Sequence, residues 1–161
     1  MTRPNAFDAD FSDKYDEADP DGYRAAEAPF GKAAGGSELA VRLFELPPGQ
    51  NVCPYHYEYV EEWLLVMTGE VQVRTPQGTS PARTGDVVCF PAGPDGAHKV
   101  WNDGEAAARV VMFSATTMPS VAVYPDSDKV GVWTANDRDE WMFRGAEAKL
   151  EYFDGEPPAA R

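Results

Sequence analysis

Gly49-Gln-Asn-Val-Cys-Pro-Tyr-His56-Tyr-Glu58-Tyr-Val-Glu-Glu62, closing at Gly69, is followed by Gly85-Asp-Val-Val-Cys-Phe-Pro91-Ala-Gly93, running on to His98 and Asn102. Together the two stretches hold both histidines of a 161-residue chain. Imidazoles set beside carboxylates are the usual donor set for a divalent transition metal. In an extended strand the side chains at i and i+2 share a face, so His56 and Glu58 are expected to point together. Glu62 returns to that face if its segment pairs with the preceding one as a hairpin. His98 comes from a distant strand, which a closed barrel brings alongside.

Outward from these stretches the chain reads as short strands separated by turn residues. Glu38–Leu46 is ended by Pro47-Pro48-Gly49, and Val52–Tyr57 follows. Strands are also expected at Glu62–Met67, Glu70–Thr75, Val87–Pro91, Lys99–Asn102 and Arg109–Ser114, with shorter ones at Val121–Tyr124 and Val130–Trp133. Gly69, Gly78, Gly85 and Gly93 sit where the backbone must turn. This rhythm of short strands predicts an all-β antiparallel sandwich or barrel.

Residues 1–36 are rich in Asp, Ala, Gly and Pro, with spaced aromatics Phe7, Phe11, Tyr15, Tyr23 and Phe30. They read as an N-terminal arm, either a disordered leader or a segment packed on the same domain or on a partner subunit. Residues 37–125 read as the barrel. Residues 126–161, with Glu140-Trp141-Met142-Phe143-Arg144, read as a C-terminal extension carrying a late strand or short helix on the barrel exterior.

The chain carries 27 acids against 14 bases, a net charge of -13 spread over all three segments. That charge repels nucleic-acid phosphates and anionic membranes, so neither is expected as a partner. The N-terminus lacks the apolar core of a secretory signal, and no apolar run approaches membrane-spanning length. The cytoplasm is the expected compartment. The two cysteines, Cys53 and Cys89, form no CxxC pair, which excludes a thiolate zinc finger. In strand-like segments they read first as small buried residues, with a disulfide or a thiol near the site as the alternatives.

At the two quoted stretches the chain resembles the cupin superfamily, whose motifs are commonly written G-x5-H-x-H-x3,4-E-x6-G and G-x5-P-x-G-x2-H-x3-N. The resemblance covers about residues 37–115. It departs by one extra residue before His56, by two extra residues between Gly93 and His98, and by Glu58 in place of the second histidine. It implies a double-stranded β-helix, a jelly-roll barrel with the metal inside. Carried over position by position, the metal ligands are His56, Glu58, Glu62 and His98, and the ion is Fe, Mn, Ni or Zn. Two carboxylates would tilt the preference towards Mn or Fe.

Each residue also has a plainer role open to it. The histidines can be hydrogen-bonded core residues. Glu58 can swing away, act as a general base, or pair with Arg74 or Arg109. Glu61 is either solvated or a substitute for Glu62. Tyr55 and Tyr57 alternate onto the opposite face, and Phe90 and Trp101 are candidates for the cavity mouth.

The resemblance implies a small metalloenzyme acting on an oxygen-rich or carbonyl-containing small molecule, of dioxygenase, isomerase or lyase type. The alternative is a non-catalytic small-molecule-binding barrel with structural or absent metal. A homodimer is expected, with the N-terminal arm packed across the partner.

Overall fold

A computed structural model describes residues 3–11, 19–136, 140–145 and 149–155. Tyr15 therefore lies outside the described residues. The elements are β1 (Ala26–Ala28), α1 (Phe30–Ala33), β2 (Leu39–Leu46), β3 (Tyr57–Glu58), β4 (Glu62–Thr68), β5 (Glu70–Thr75), β6 (Gly78–Arg83), β7 (Val87–Phe90), β8 (Lys99–Trp101), β9 (Ala108–Ala115), β10 (Ser120–Tyr124), β11 (Lys129–Trp133) and β12 (Trp141–Arg144). The all-β architecture expected from the strand rhythm is the one the chain adopts.

Among the described residues every strand pairing is antiparallel, in three sheets ordered β1-β2-β9-β4-β7, β12-β11-β10-β3 and β6-β5-β8. The five-stranded sheet is the spine, because β9 pairs along its whole length with β2 and along most of it with β4. Alternation gives that sheet two apolar faces. The inner face sends Phe44, Leu46, Leu64, Val66, Val110 and Met112 against Val71, Val73, Ala82 and Val100 of the three-stranded sheet. The outer face carries Leu43 and Val111 with Val41, Leu65 and Phe113. Ala6, Ala9, Phe11 and Phe30 cover it. The described part of the N-terminal arm thus packs on its own chain, because the spine has a second apolar face to hide from water.

Two local expectations fail for stated reasons. Val52–Tyr57 is not a strand: residues 52–55 run as bends, His56 makes an isolated bridge, and only Tyr57–Glu58 pairs. Pro54 lacks the N–H a ladder needs there. In the other direction β6 is a strand that polar Gly78-Thr-Ser-Pro-Ala-Arg83 disguised. It is an edge strand, so Pro81 opposite Gln72 is tolerated. The stretch expected to form a late strand or short helix is a strand, Trp141–Arg144, at the edge of its sheet.

Turns fall at glycines with positive φ, among them Gly69 at 82° and Gly85 at 93°. Asn102 is fully buried, and its amide spans the turn. Its Nδ2 donates to the Leu46 and Ala106 carbonyls, and its Oδ1 accepts from the Gly104 N–H.

Candidate metal centre

His56 and His98 are paired across a backbone bridge. The His56 N–H donates to the His98 carbonyl at 3.1 Å, and the His98 N–H donates back at 2.8 Å. Directly opposed residues of an antiparallel pair share a face, so both imidazoles project the same way, with ring centroids 4.7 Å apart. The bridge lies at the seam between two sheets, since His98 precedes β8 and His56 precedes β3. The third group, Glu62, opens β4 on the spine.

The rings are held in register by their other nitrogens. His98 Nδ1 lies 2.9 Å from the Gly96 carbonyl and His56 Nδ1 lies 3.0 Å from the Pro54 carbonyl. Each carbonyl fixes the tautomer with the proton on Nδ1 and leaves Nε2 to face the site. Phe90 stacks on His98 at 3.7 Å and is itself buried, so it supports the ring from behind.

The Nε2 atoms of His56 and His98 lie 3.5 and 3.6 Å from Glu62 Oε2. One ligand atom from each of the three residues lies within 4.8 Å of the others. Donors bound to one ion at about 2.0–2.2 Å sit roughly 3–3.6 Å apart at tetrahedral or octahedral angles, so the cluster is close to that geometry. His98 Nε2 and Glu62 Oε2 are buried with no hydrogen-bond partner. Burying such atoms unpaired is costly. Two of them aimed at one point fit a cation that needs their lone pairs.

Without a metal the surrounding charges favour one added proton, on His56. Burial pushes the His56 imidazolium down, but the Cys53 sulfur and the Glu62 carboxylate outweigh it and lift the pKa to about 11. Burial and the neighbouring His56 hold His98 down to about 4. Glu62 is opposed by its own burial, yet the two histidines hold its carboxyl below the usual range.

Glu58 does not join the cluster. It lines the same cavity, and its carboxylate accepts from Ser120 Oγ at 3.5 Å. His56 and Glu58 do face one cavity, as i and i+2 residues of extended backbone should, but no Glu58 oxygen falls among the converging ligand atoms. Neither suggested arginine reaches it. Arg74 forms a bidentate pair with Asp126, and Arg109 pairs with Glu45. Burial first, and Glu62 second, push the Glu58 carboxyl above its usual range. Glu61 is exposed and accepts from Trp63 Nε1 at 2.6 Å, which points it away from the site.

The cluster sits beside a cavity of about 590 Å³. Ala40, Arg42, Phe44, Met112 and Ser114 line it from the spine, and Ser120, Tyr124, Trp133 and Thr134 from the opposite side. Several of these were missed. Arg42 was readable in principle, because it sits between Ala40 and Phe44 on one face of β2. Tyr124, whose ring stacks against His56 at 5.8 Å, comes from a strand whose partner only the fold reveals.

Cys53 also lines the cavity, with Sγ 3.4 Å from His56 Nδ1. Both cysteines are free. The expectation that both are buried fails outright for Cys89, which is exposed because β7 turns Val88 and Phe90 inward instead. Phe90 is a core ring rather than a cavity-mouth residue. Trp101 is half-buried, lies 5.8 Å from the Lys99 ammonium, and is not among the cavity-lining residues.

The model of the family described as "Cupin domain" matches residues 42–114. No curated protein matches the chain. Among solved structures, it is similar to a sugar phosphate isomerase of Silicibacter pomeroyi DSS-3. That likeness has a TM-score of 0.74 at 24% identity and covers 89% of this chain and 96% of that one. A protein of Acidithiobacillus ferrooxidans, provisionally named a sugar phosphate isomerase, is similar with a TM-score of 0.73 at 23% identity, over 81% and 82% of the two chains. The polyketide cyclase RemF of Streptomyces resistomycificus is similar with a TM-score of 0.59 at 17% identity, over 74% and 83%. At these identities the likeness is one of fold.

Proposed function

For a chain that belongs to the cupin superfamily through residues 42–114, we propose a metal-dependent enzyme acting on a small oxygen-rich or carbonyl-containing molecule. The reading rests on one observation: the buried, unpartnered Nε2 of His98 and Oε2 of Glu62 converge with His56 beside an open cavity. His56, Glu62 and His98 would hold the ion, and Glu58 would stand beside it. Two imidazoles and one carboxylate suit Fe, Mn, Ni or Zn and leave coordination positions open. A divalent ion there supplies a Lewis acid for a substrate oxygen.

The chain's own residues supply the rest. The cavity has the size of small-molecule sites, roughly 300–1,000 Å³. Ser114 offers a hydroxyl to a substrate oxygen, and Arg42 offers a cation at the wall. Phe44 and Met112 from the spine and Trp133 from the opposite side give the cavity apolar walls that exclude water. Glu58, with its carboxyl raised by burial, takes or returns a proton at its carboxylate oxygen. A base beside a Lewis acid is the pairing that isomerase and lyase chemistry require. Two of the similar folds carry the name sugar phosphate isomerase.

Elemental analysis of the protein as isolated tests the reading. One transition-metal ion per chain is expected. His56→Ala and His98→Ala are each expected to cut metal content at least about tenfold, since a lost ligand removes more than roughly 1.4 kcal/mol of binding. Unchanged content in either variant overturns the cluster. Failure to take up metal even on reconstitution leaves a cavity that binds a small molecule without catalysis.

A further inference from the structure

β12 (Trp141–Arg144) closes one side of its sheet and pairs only with β11, leaving its other edge without a strand among the described residues. All four of its residues are exposed. Trp141 and Met142 are each 52% exposed and Phe143 41%. An apolar edge with open N–H and C=O groups is a template for another strand.

The order of residues on this edge says which strand fits. Glu140, Met142 and Arg144 alternate onto one face of the sheet, and Trp141 and Phe143 onto the other. The first face is the cavity face, because Glu140 and Trp133 line the cavity and Met142 lies over Gly131 beside the Trp133 ring. Let a second copy of β12 run antiparallel to the first with Met142 on the two-fold axis. Met142 then meets Met142, Trp141 meets Phe143, and Glu140 meets Arg144, each of the last two pairs occurring twice. Every contact is like with like or acid with base, which is the self-complementarity an isologous interface demands. Neither Glu140 nor Arg144 has an ion-pair partner among the described residues.

We propose that a second copy of this chain docks edge to edge on β12, in the register centred on Met142, joining the two four-stranded sheets into one and placing the seam at the rim of the cavity. The inference stands apart from the metal reading and survives its failure. It places the partner on a different surface from the one expected from an N-terminal arm packed across the partner.

Sedimentation velocity on the full chain tests it. The wild-type protein is expected to sediment as a dimer at micromolar concentration. Glu140→Arg and Arg144→Glu each place like charges opposite one another at two symmetric points, and each is expected to weaken the dimer about tenfold or more. The double variant restores the pairing and the dimer.

A second readout does not depend on affinity. Met142→Cys in a Cys89→Ser background is expected to form a disulfide-linked dimer on mild oxidation, because opposed residues of an antiparallel pair fall within disulfide reach. The background alone should not cross-link. A monomeric wild-type chain, single variants that dimerise like wild type, or absence of the Met142→Cys cross-link would each overturn the proposal.

Discussion

On β4 the inward row reads Glu62, Leu64, Val66; on β9 it reads Ser114, Met112, Val110, Ala108 in the opposing direction. At one end these rows face Val71, Val73 and Val100 of the three-stranded sheet, and the interior is filled. At the other they face Ser120, Tyr124 and Trp133, and the interior stays open as the cavity. The two halves share the strands of the spine and differ in the sheet that faces them and in the residues that two positions of translation bring inward. One end of the barrel is packed solid and the other holds the candidate metal cluster and its cavity, and the His56–His98 bridge is the joint between them.

Damage to the filled half is expected to have the largest effect. Leu64 is fully buried in the closed end, one inward step from Glu62. Leu64→Ala is expected to cost about 2–5 kcal/mol of stability, read from denaturant unfolding. Metal content per folded chain should be unchanged. If the variant folds and its metal is gone, the two halves are one cooperative unit and the division between them fails.

A smaller effect separates the halves by pH. Metal uptake requires the lone pair on both imidazole Nε2 atoms. In the metal-free chain His98, held down to about 4, already has it between roughly pH 6 and pH 8. His56, lifted to about 11, does not, so the ion must displace one proton. The bound state therefore has fewer protons than the free state, and raising the pH favours binding, by about tenfold per pH unit over that window. Metal titrations at several pH values in a non-coordinating buffer read the slope. Cys53→Ala removes one of the groups that raise His56, so the displaced proton competes less and affinity at neutral pH should rise. A flat profile in the wild-type protein would mean that His56 carries no proton and that Cys53 and Glu62 do not act on it as described.

Much of this was legible in the residues before any coordinates. β5 was read at its observed ends, and β4, β8 and β9 within one residue of theirs, because clean alternation between glycine turns leaves little freedom. His56, Glu62 and His98 were readable because a chain with two histidines, each in its own turn-bounded segment, offers few other arrangements. What stayed hidden depended on partners distant in sequence. The exposure of Cys89 follows from which face of β7 meets the spine. The covering of the spine by Phe11 and Phe30 follows from an outer face that no local pattern announces. The place of Cys53 beside His56 follows from the bends around Pro54, where strand periodicity no longer applies.

Glu58 is the candidate ligand that faces the cavity without joining the converging atoms, and it gives the finest test. Its side chain faces the cavity but answers to Ser120, and the atoms that converge at the seam are those of His56, Glu62 and His98. Glu58→Gln keeps the shape and the hydrogen-bonding capacity while removing the negative charge. If the carboxylate stands beside the ion, metal content should change by no more than about twofold, or roughly 0.4 kcal/mol. Turnover of any substrate later found would fall instead, because an amide takes no proton. A tenfold loss of metal would place Glu58 in the coordination shell after all. The open half would then hold its ion with two carboxylates, and the proton would have to move on some other group of the cavity wall.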